Sequence, residues 1–317
     1  MKKTIAELEK LRQKSMRINR NCFEKGCNSK SIDSHILQKN GVISRITEKG
    51  YVTECVLNPF KEYHLKFKRT GINEVFTFKG FCQDHDNGLF NEIEKSSFDL
   101  NNYRHQLLFA YRTSVNESRK KESAIDYYKS VAGNPLFNFD NIYLQNKIAS
   151  EKMGIADSDY TRSVLKENLA DPHKHDFIFY TRELPLFEVC ISAVCTYETS
   201  FEIKRMELET NPKFFKPLTD VFITMVPSVE NSILSIGFIE DYNPNCNNFY
   251  CNLFKKGNES IIQYISDLML LQIENWITSN SFYYSNIFPN ESKIKSIINW
   301  AQKNWDEHLT LDFNIFK

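Results

Sequence analysis

Four cysteine and histidine residues near the start of the chain have the types and spacing of metal ligands. Cys22 and Cys27 flank a short segment that contains Gly26, which allows the sharp turn of a zinc knuckle. Much later in the chain, Cys82 and His85 stand at the start of a predicted helix. Two such pairs supply the donors of a tetrahedral zinc site. The sequence therefore predicts a structural Zn²⁺ held by Cys22, Cys27, Cys82 and His85.

The order of these ligands along the chain is typical of a treble clef. In that fold a knuckle carries the first ligand pair, a β-hairpin follows, and the first turn of a helix carries the second pair. Cys55 or His35 is an alternative for one of the four ligands. Buried thiols without a metal are the alternative to the site as a whole.

The segment 22–94 resembles the zinc-stabilised HNH, or His-Me finger, nucleases. Ser34-His35 falls where that family has its acidic-His dipeptide, and Asp86 directly follows the second ligand pair, where the family has a metal-binding residue. The resemblance implies that His35 is the general base for an attacking water and that Asp86 holds a catalytic Mg²⁺ or Mn²⁺. The match departs from the family's pattern at Ser34, because the nearest acid, Asp33, lies one residue earlier.

A wider set of residues resembles a family of bacterial proteins without an assigned activity. The set comprises Ser34-His35-Ile36, Gly80-Phe81-Cys82, His85-Asp86, Phe90, Ile93-Glu94 and Glu274-Asn275-Trp276. Some members of that family are associated with defence against phage, so the resemblance implies an antiviral role.

Both candidate catalytic residues also have a structural interpretation. His35 could complete the zinc site or bond a backbone carbonyl in the core. Asp86 could be a first-turn charge that the helix dipole favours. With this interpretation the chain is a non-catalytic zinc-containing adaptor that binds nucleic acid or a protein.

A basic and aromatic segment of a predicted helix is a candidate nucleic-acid surface. Arg104, Tyr111 and Arg112 lie near one face at helical spacing, where they could contact phosphates and stack on bases. The alternative is an amphipathic helix with a solvated basic edge.

The charges of the chain are unevenly distributed although the formal net charge is zero. Residues 1–130 contain 24 Lys and Arg against 16 Asp and Glu, and residues 131–317 contain 16 against 24. A basic half and an acidic half are compatible with a nucleic-acid-facing module beside a module that binds a protein partner. A mildly charged surface accounts for the same numbers.

The composition is that of an ordinary globular protein, with 41% hydrophobic and 25% charged residues. The first residues lack the apolar core of a signal peptide, and no run reaches the roughly 18 apolar residues of a membrane span. We therefore expect a cytoplasmic protein whose eight cysteines are free or metal-bound. The sequence contains no Walker loop, dinucleotide-binding glycine motif or zinc-protease motif, which disfavours those enzyme classes.

The predicted fold class is α+β, in three parts. Residues 1–95 form the zinc module with two hairpins, residues 96–170 are helical, and residues 171–317 form a C-terminal α+β domain. The expected hairpins join 42–47 to 51–57 and 64–68 to 74–79. In the helical part, one helix starts near residue 99 and a second covers 140–170 with an interruption at Gly154.

The C-terminal part is expected to contain strands at 177–180, 187–195, 220–226 and 232–238, with helices at 261–277 and 292–305. Cys190 and Cys195 are an odd number of residues apart in one strand, so their side chains should point to opposite faces. Cys246 and Cys251 could form a second knuckle only with partners from elsewhere.

Overall fold

A seven-stranded antiparallel sheet is the central element of the structure, a computed structural model that describes residues 2–57, 65–95, 98–137, 140–198, 217–301 and 310–317. The strands are β1 (Asp33–His35), β2 (Tyr51–Leu57), β3 (Leu65–Gly71), β4 (Thr77–Lys79), β5 (Phe177–Pro185), β6 (Val189–Thr196), β7 (Asp220–Pro227), β8 (Asn231–Ile239) and β9 (Trp276–Thr278). The helices are α1 (Lys2–Met16), α2 (Gln83–Phe90), α3 (Tyr103–Ala132), α4 (Asn141–Ala170), α5 (Pro244–Phe254), α6 (Asn258–Leu271), α7 (Asn280–Phe282) and α8 (Glu291–Ala301). The predicted α+β fold class is confirmed.

The large sheet has the strand order β3-β2-β9-β6-β7-β8-β5 and is covered by helices on both faces. Strand β6 shows the alternation most clearly, because Cys190 packs into the core on one face and Cys195 into the core on the other. This confirms the prediction that the two side chains point to opposite faces.

Helix α3 covers one face of this sheet and links it to the region that contains Cys22, Cys27, Cys82 and His85. It begins at Asn102, whose side chain accepts a hydrogen bond from the backbone N–H of His105. The helix contains no glycine or proline along its 30 residues, as the sequence predicts. Its buried face shares a core with Phe222 and Ile277 of the sheet, and the hydroxyls of Thr113 and Ser192 lie 2.7 Å apart across this contact.

The N-terminal ligand region is a small unit that packs against α3 and shares its core. Strands β1 and β4 pair antiparallel, and α2 follows β4 directly. The ring of Phe81 lies 5.0 Å from Phe90 on α2 and 6.0 Å from Tyr111 on α3, measured between centroids. Since these rings are buried, the unit shares its apolar core with α3 and with one face of the large sheet.

Both hairpin predictions in the first part of the chain are wrong in their pairing. The segment 42–47 contains a 3₁₀ turn, Ile43–Ile46, in place of a strand, and β2 pairs with β3. Strand β4 pairs with β1 and not with β3. His64, placed in a strand by the prediction, lies outside the described residues. Because β2 also pairs with β9, the β2–β3 hairpin belongs to the large sheet.

Most helices and strands of the remaining chain agree with the sequence prediction, with three differences. Helix α4 runs through Gly154 without the predicted interruption. The predicted helix 261–277 ends at Leu271, and its last residues form strand β9 in the middle of the sheet. The segment with Cys246 and Cys251 is helix α5 and not a knuckle.

Candidate metal centre and the adjacent polar cluster

The first ligand pair lies on a knuckle whose backbone is tightly hydrogen-bonded. The N–H of Cys22 donates to the carbonyl of Ser29 at 2.8 Å, and the N–H of Cys27 donates to the carbonyl of Glu24 at 3.0 Å. Gly26 has φ +82°, a left-handed conformation that glycine adopts without steric cost. The turn therefore directs both sulfur atoms to the same side of the loop.

The second ligand pair opens helix α2. Cys82 is the N-cap residue, with φ −76° and ψ 166°, and its carbonyl accepts the N–H of Asp86 at 2.8 Å. This places His85 on the first helical turn, beside the Cys82 side chain.

The four side chains meet in a geometry that suits one tetrahedral ion. All their ligand atoms lie within 4.8 Å of one another. The Sγ atoms of Cys27 and Cys82 are 3.8 Å apart, and His85 Nδ1 lies 3.5 Å from Cys22 Sγ and 3.2 Å from Cys82 Sγ. A tetrahedron with Zn–S bonds of about 2.3 Å and Zn–N bonds of about 2.0 Å has S–S edges of roughly 3.8 Å and S–N edges of roughly 3.5 Å. The group can therefore hold a metal ion through three sulfur atoms and Nδ1 of His85.

The electrostatics of the two knuckle thiols differ. Hydrogen bonding from the Ser29 backbone lowers the pKa of Cys27 to about 7, so a substantial fraction is thiolate at neutral pH. Burial raises the pKa of Cys22, which means that a metal would have to displace its proton.

The two alternative ligands, Cys55 and His35, do not belong to this group. Cys55 packs in the core on the other face of the large sheet, and the imidazole of His35 forms a hydrogen bond with the carbonyl of Ile72.

His35 lies on β1, half-buried, with its imidazole fixed by the backbone. Its Nε2 lies 3.1 Å from the carbonyl oxygen of Ile72, so Nε2 carries the proton and donates it. Burial lowers the pKa of His35 below its usual value, more than the Ile72 carbonyl raises it. The side chain is therefore a neutral imidazole whose Nδ1 retains its lone pair.

Asp86 follows His85 on α2 and faces the same polar region as His35. Burial raises the pKa of the Asp86 carboxyl, while the guanidinium of Arg112 and the hydroxyl of Ser34 lower it and the charge of Glu94 raises it further. Asp86 Oδ1 lies 3.7 Å from Arg112 Nη2, an ion pair too long for a hydrogen bond. The charges of Arg112 and Glu94 act on both Asp86 of α2 and His35 of β1, so the two residues border one polar cluster.

Arg112 of α3 is the buried cation of this region, which we call the His35 cluster: His35, Asp86, Glu94 and Arg112. Arg112 is only 1% exposed, its Nη1 donates to Glu94 Oε1 at 2.5 Å, and its guanidinium lies 4.1 Å above the ring of Phe90. Stacking and ion pairing together offset the cost of burying its charge.

The floor of the His35 cluster contains buried polar atoms without a hydrogen-bond partner among the described residues. They are Ser34 Oγ, Gln38 Oε1, Asp86 Oδ1 and Arg112 Nε. Ser34 lies close enough to Asp86 to lower the pKa of that carboxyl without completing a hydrogen bond. An unpaired buried polar atom is costly, so these four atoms are candidates for contact with water, an ion or a ligand.

The candidate nucleic-acid residues on α3 do not form one surface. Tyr111 is 1% exposed and donates its hydroxyl hydrogen to Glu24, and Arg112 is buried in the His35 cluster. Arg104 is exposed, but its Nε donates to Glu92 at 2.9 Å. The predicted phosphate-binding surface is therefore wrong for Tyr111 and Arg112, because their polar groups bond inside the protein.

Comparison with known proteins adds no relative to this geometry: no family model, curated protein or solved structure matches the chain. Within the described part of the chain, no helix combines the length and apolar character needed to cross a membrane.

Proposed function

We propose that this chain is a zinc-stabilised, HNH-like nuclease that hydrolyses phosphodiester bonds at the His35 cluster. The observation that supports the proposal is that His35 on β1 and Asp86 on α2 both interact with Arg112 and Glu94, in a polar cluster beside the Cys₃His group. This class of hydrolysis requires a general base and a metal ligand, and a histidine on a strand and a carboxylate on a helix can fill these two roles.

The proposed role of zinc is structural. Three cysteines and a histidine fill all four positions of a tetrahedral site, which leaves none for a substrate or water. Binding would tie the knuckle to the start of α2. Because Asp86 is the residue after His85, the same bond would fix where the carboxylate stands relative to β1.

His35 is the proposed general base. Its Nε2 proton is committed to Ile72, so the neutral Nδ1 is the atom that can accept a proton from water. The lowered pKa keeps this atom unprotonated at neutral pH. Asp86 is the proposed ligand of Mg²⁺ or Mn²⁺, and such an ion would supply charge stabilisation at the scissile phosphate.

The proposed substrate is nucleic acid, in keeping with the excess of Lys and Arg in residues 1–130. The acidic second half is the proposed surface for a protein partner, and defence against phage is the proposed setting, on the resemblance alone. A plaque assay with and without the expressed protein tests that setting.

Cleavage assays with an Asp86→Asn variant test the metal role of Asp86. Wild-type protein should cleave plasmid DNA or total RNA with Mg²⁺ or Mn²⁺ and not with EDTA. Asp86→Asn should lose most of this activity, since an amide is a weaker ligand for Mg²⁺ than a carboxylate. Asn21 neighbours Cys22 as Asp86 neighbours His85, so Asn21→Ala is a matched control that should remain active. An equally active Asp86→Asn variant would remove Asp86 from the mechanism.

A non-catalytic adaptor is the second candidate, and the position of Arg112 favours it. The guanidinium lies 3.7 Å from Asp86 and bonds Glu94, so it already neutralises part of the negative charge that a divalent ion would need. In this case the protein would bind nucleic acid or a protein without cleaving it. A metal-independent gel shift with intact substrate in every lane would support the adaptor.

A further inference from the structure

A pocket of about 420 Å³ lies away from the metal centre, between the β2–β3 hairpin and the turns that follow β9. Its volume is in the range of small-molecule sites. Lys49, Phe67, Arg69, Tyr283 and Tyr284 contribute to its lining.

Hydrogen bonds between the two sides of the pocket hold its shape. The hydroxyl of Thr53 on β2 donates to Asn280 Oδ1 at 3.0 Å. The backbone N–H of Ser281 donates to the carboxylate of Glu48 at 2.7 Å. Both contacts join segments more than 200 residues apart in the chain, so the pocket exists only in the folded sheet.

Two cations at the pocket are not neutralised by ion pairs. Neither Lys49 nor Arg69 has a salt bridge to a carboxylate in the part of the chain that the structure describes. The Arg69 guanidinium lies 4.0 Å above the ring of Tyr51, which orients it without changing its charge. The carboxylate of Glu48 also lines the pocket and interacts with the charge of Arg69, but it accepts the N–H of Ser281, so the pocket offers an anion two cations against one carboxylate.

Exposed aromatic rings stand next to these cations. Tyr284 is 64% exposed and Phe288 is 56% exposed, and their ring centroids are 5.8 Å apart. Tyr283 and Tyr284 lie on a π-helical turn, Tyr283–Ile287. Such turns are rare in proteins overall, and those that occur are often found at functional sites. Phe67 supplies a further ring, 5.5 Å from Tyr283.

The pocket is connected to the His35 cluster through one turn of backbone. Gly50 follows Lys49, and its carbonyl accepts the N–H of Ile72 at 3.0 Å. The carbonyl of the same Ile72 accepts the proton of His35. A ligand that contacts Lys49 would therefore be connected to the candidate base through the backbone of Gly50 and Ile72.

We propose that this pocket binds a nucleoside phosphate. The base stacks on the exposed ring of Tyr284, and the phosphate lies between Lys49 and Arg69. Planar rings beside unpaired Lys and Arg are the combination by which proteins bind nucleotides without base-specific contacts. The source is a free nucleotide or a nucleotide of a single strand. The proposal does not depend on nuclease activity.

Isothermal titration with ADP tests the pocket, with adenosine and inorganic phosphate as the two halves of the ligand. Wild-type protein should bind ADP more tightly than either half. Arg69→Gln and Tyr284→Ala should each raise the Kd for ADP about tenfold, as expected for a lost phosphate contact or stacking ring. Lys66→Gln is the matched control, because Lys66 lies on the opposite face of the same strand and should leave the Kd unchanged.

A circular dichroism spectrum of each variant shows that the sheet is intact. A five-nucleotide oligothymidylate distinguishes the two sources: competition with ADP identifies a strand, and binding of ADP without competition identifies a free nucleotide. Both results support the pocket. Absence of ADP binding at millimolar concentration would overturn the proposal, as would an unchanged Kd in both pocket variants.

Discussion

The imidazole of His35 donates its Nε2 proton to the carbonyl of Ile72, 3.1 Å away, which leaves Nδ1 with its lone pair. This one hydrogen bond decides the tautomer of the candidate base. Ile72 directly follows the edge strand of the large sheet. The orientation of His35 therefore depends on the sheet as well as on the zinc-ligand unit.

The pH dependence of His35 should reflect its burial. Its pKa is lowered, so the neutral form persists below the usual titration range of about 6.5. The unfolded chain binds this proton at higher pH than the folded chain, so His35 makes stability fall as pH drops from about 6.5 towards the folded pKa. An NMR titration of the His35 ring protons should give a midpoint below the value of about 6.5 that is usual for histidine. A midpoint at or above that value would contradict the assignment.

Removal of a metal ligand should abolish metal binding and loosen the N-terminal unit. Cys82→Ser should reduce zinc content from about one ion per chain to near zero and lower the melting temperature, since metal binding adds to folding free energy. Cys251→Ser on α5 is the matched control and should retain the ion. Elemental analysis with thermal unfolding measures both. Full zinc content in Cys82→Ser would contradict the Cys₃His site.

Loss of the buried guanidinium should cost more than loss of an exposed one. Arg112→Met removes the partner of Glu94 and Asp86, and we expect a loss of about 1–3 kcal/mol in the free energy of unfolding, because Glu94 is partly screened by water. Arg104→Met breaks a surface pair with Glu92 and should cost at most about 1 kcal/mol. Urea denaturation measures both. Equal losses would show that the buried ion pairs of Arg112 contribute no more to stability than the surface pair of Arg104.

A pH-dependent measurement on Arg112→Met separates electrostatics from packing. The guanidinium lowers the pKa of Asp86, so its removal should raise that pKa further. The raised pKa would shift the acidic limb of any metal-dependent activity to higher pH. An unchanged limb together with reduced stability would assign Arg112 a packing role only.

Local sequence patterns are sufficient to identify the four side chains that could hold a metal ion. Cys22 and Cys27 are close in sequence, Gly26 permits the turn, and Cys82 with His85 fits the first turn of a helix. Their spacing restricts the geometry before any long-range contact is known. The long-range meeting of the two pairs was inferred from ligand chemistry, and the structure brings all four together.

The pairing of strands could not be read from local pattern. Strands β3 and β4 were recognised as extended, but their partners, β2 and β1, depend on contacts of the whole sheet. Strand β9 is three residues long and buried, and it directly follows an apolar helix. A continuous apolar run of this kind does not reveal where the helix ends.

The sequence pattern of residues 42–46 agrees with the 3₁₀ turn of the structure better than with the predicted strand. Val42, Ile43 and Ile46 are buried, while Ser44 and Arg45 are exposed. Apolar residues at i, i+1 and i+4 follow a helical period and not the alternation of a strand. The strand prediction follows the β-branched residue types of this segment, and their helical spacing contradicts it.

The burial of Arg112 had a weaker signal. Its partners, Asp86 and Glu94, lie 26 and 18 residues earlier in the chain, and only the packing of α2 on α3 brings them together. From the sequence alone, Arg112 beside Tyr111 therefore resembles a residue of a nucleic-acid-binding surface.

Cleavage of nucleic acid by wild-type protein and by His35→Ala is the decisive test of the proposed nuclease activity. The exposed His173→Ala is the matched control, and zinc content verifies that each variant is folded. If His35 is the general base, wild type and His173→Ala should cleave with Mg²⁺ or Mn²⁺, and His35→Ala should lose activity by about 10²-fold or more. Equal cleavage by His35→Ala, or intact DNA and RNA with every protein and metal, would contradict it.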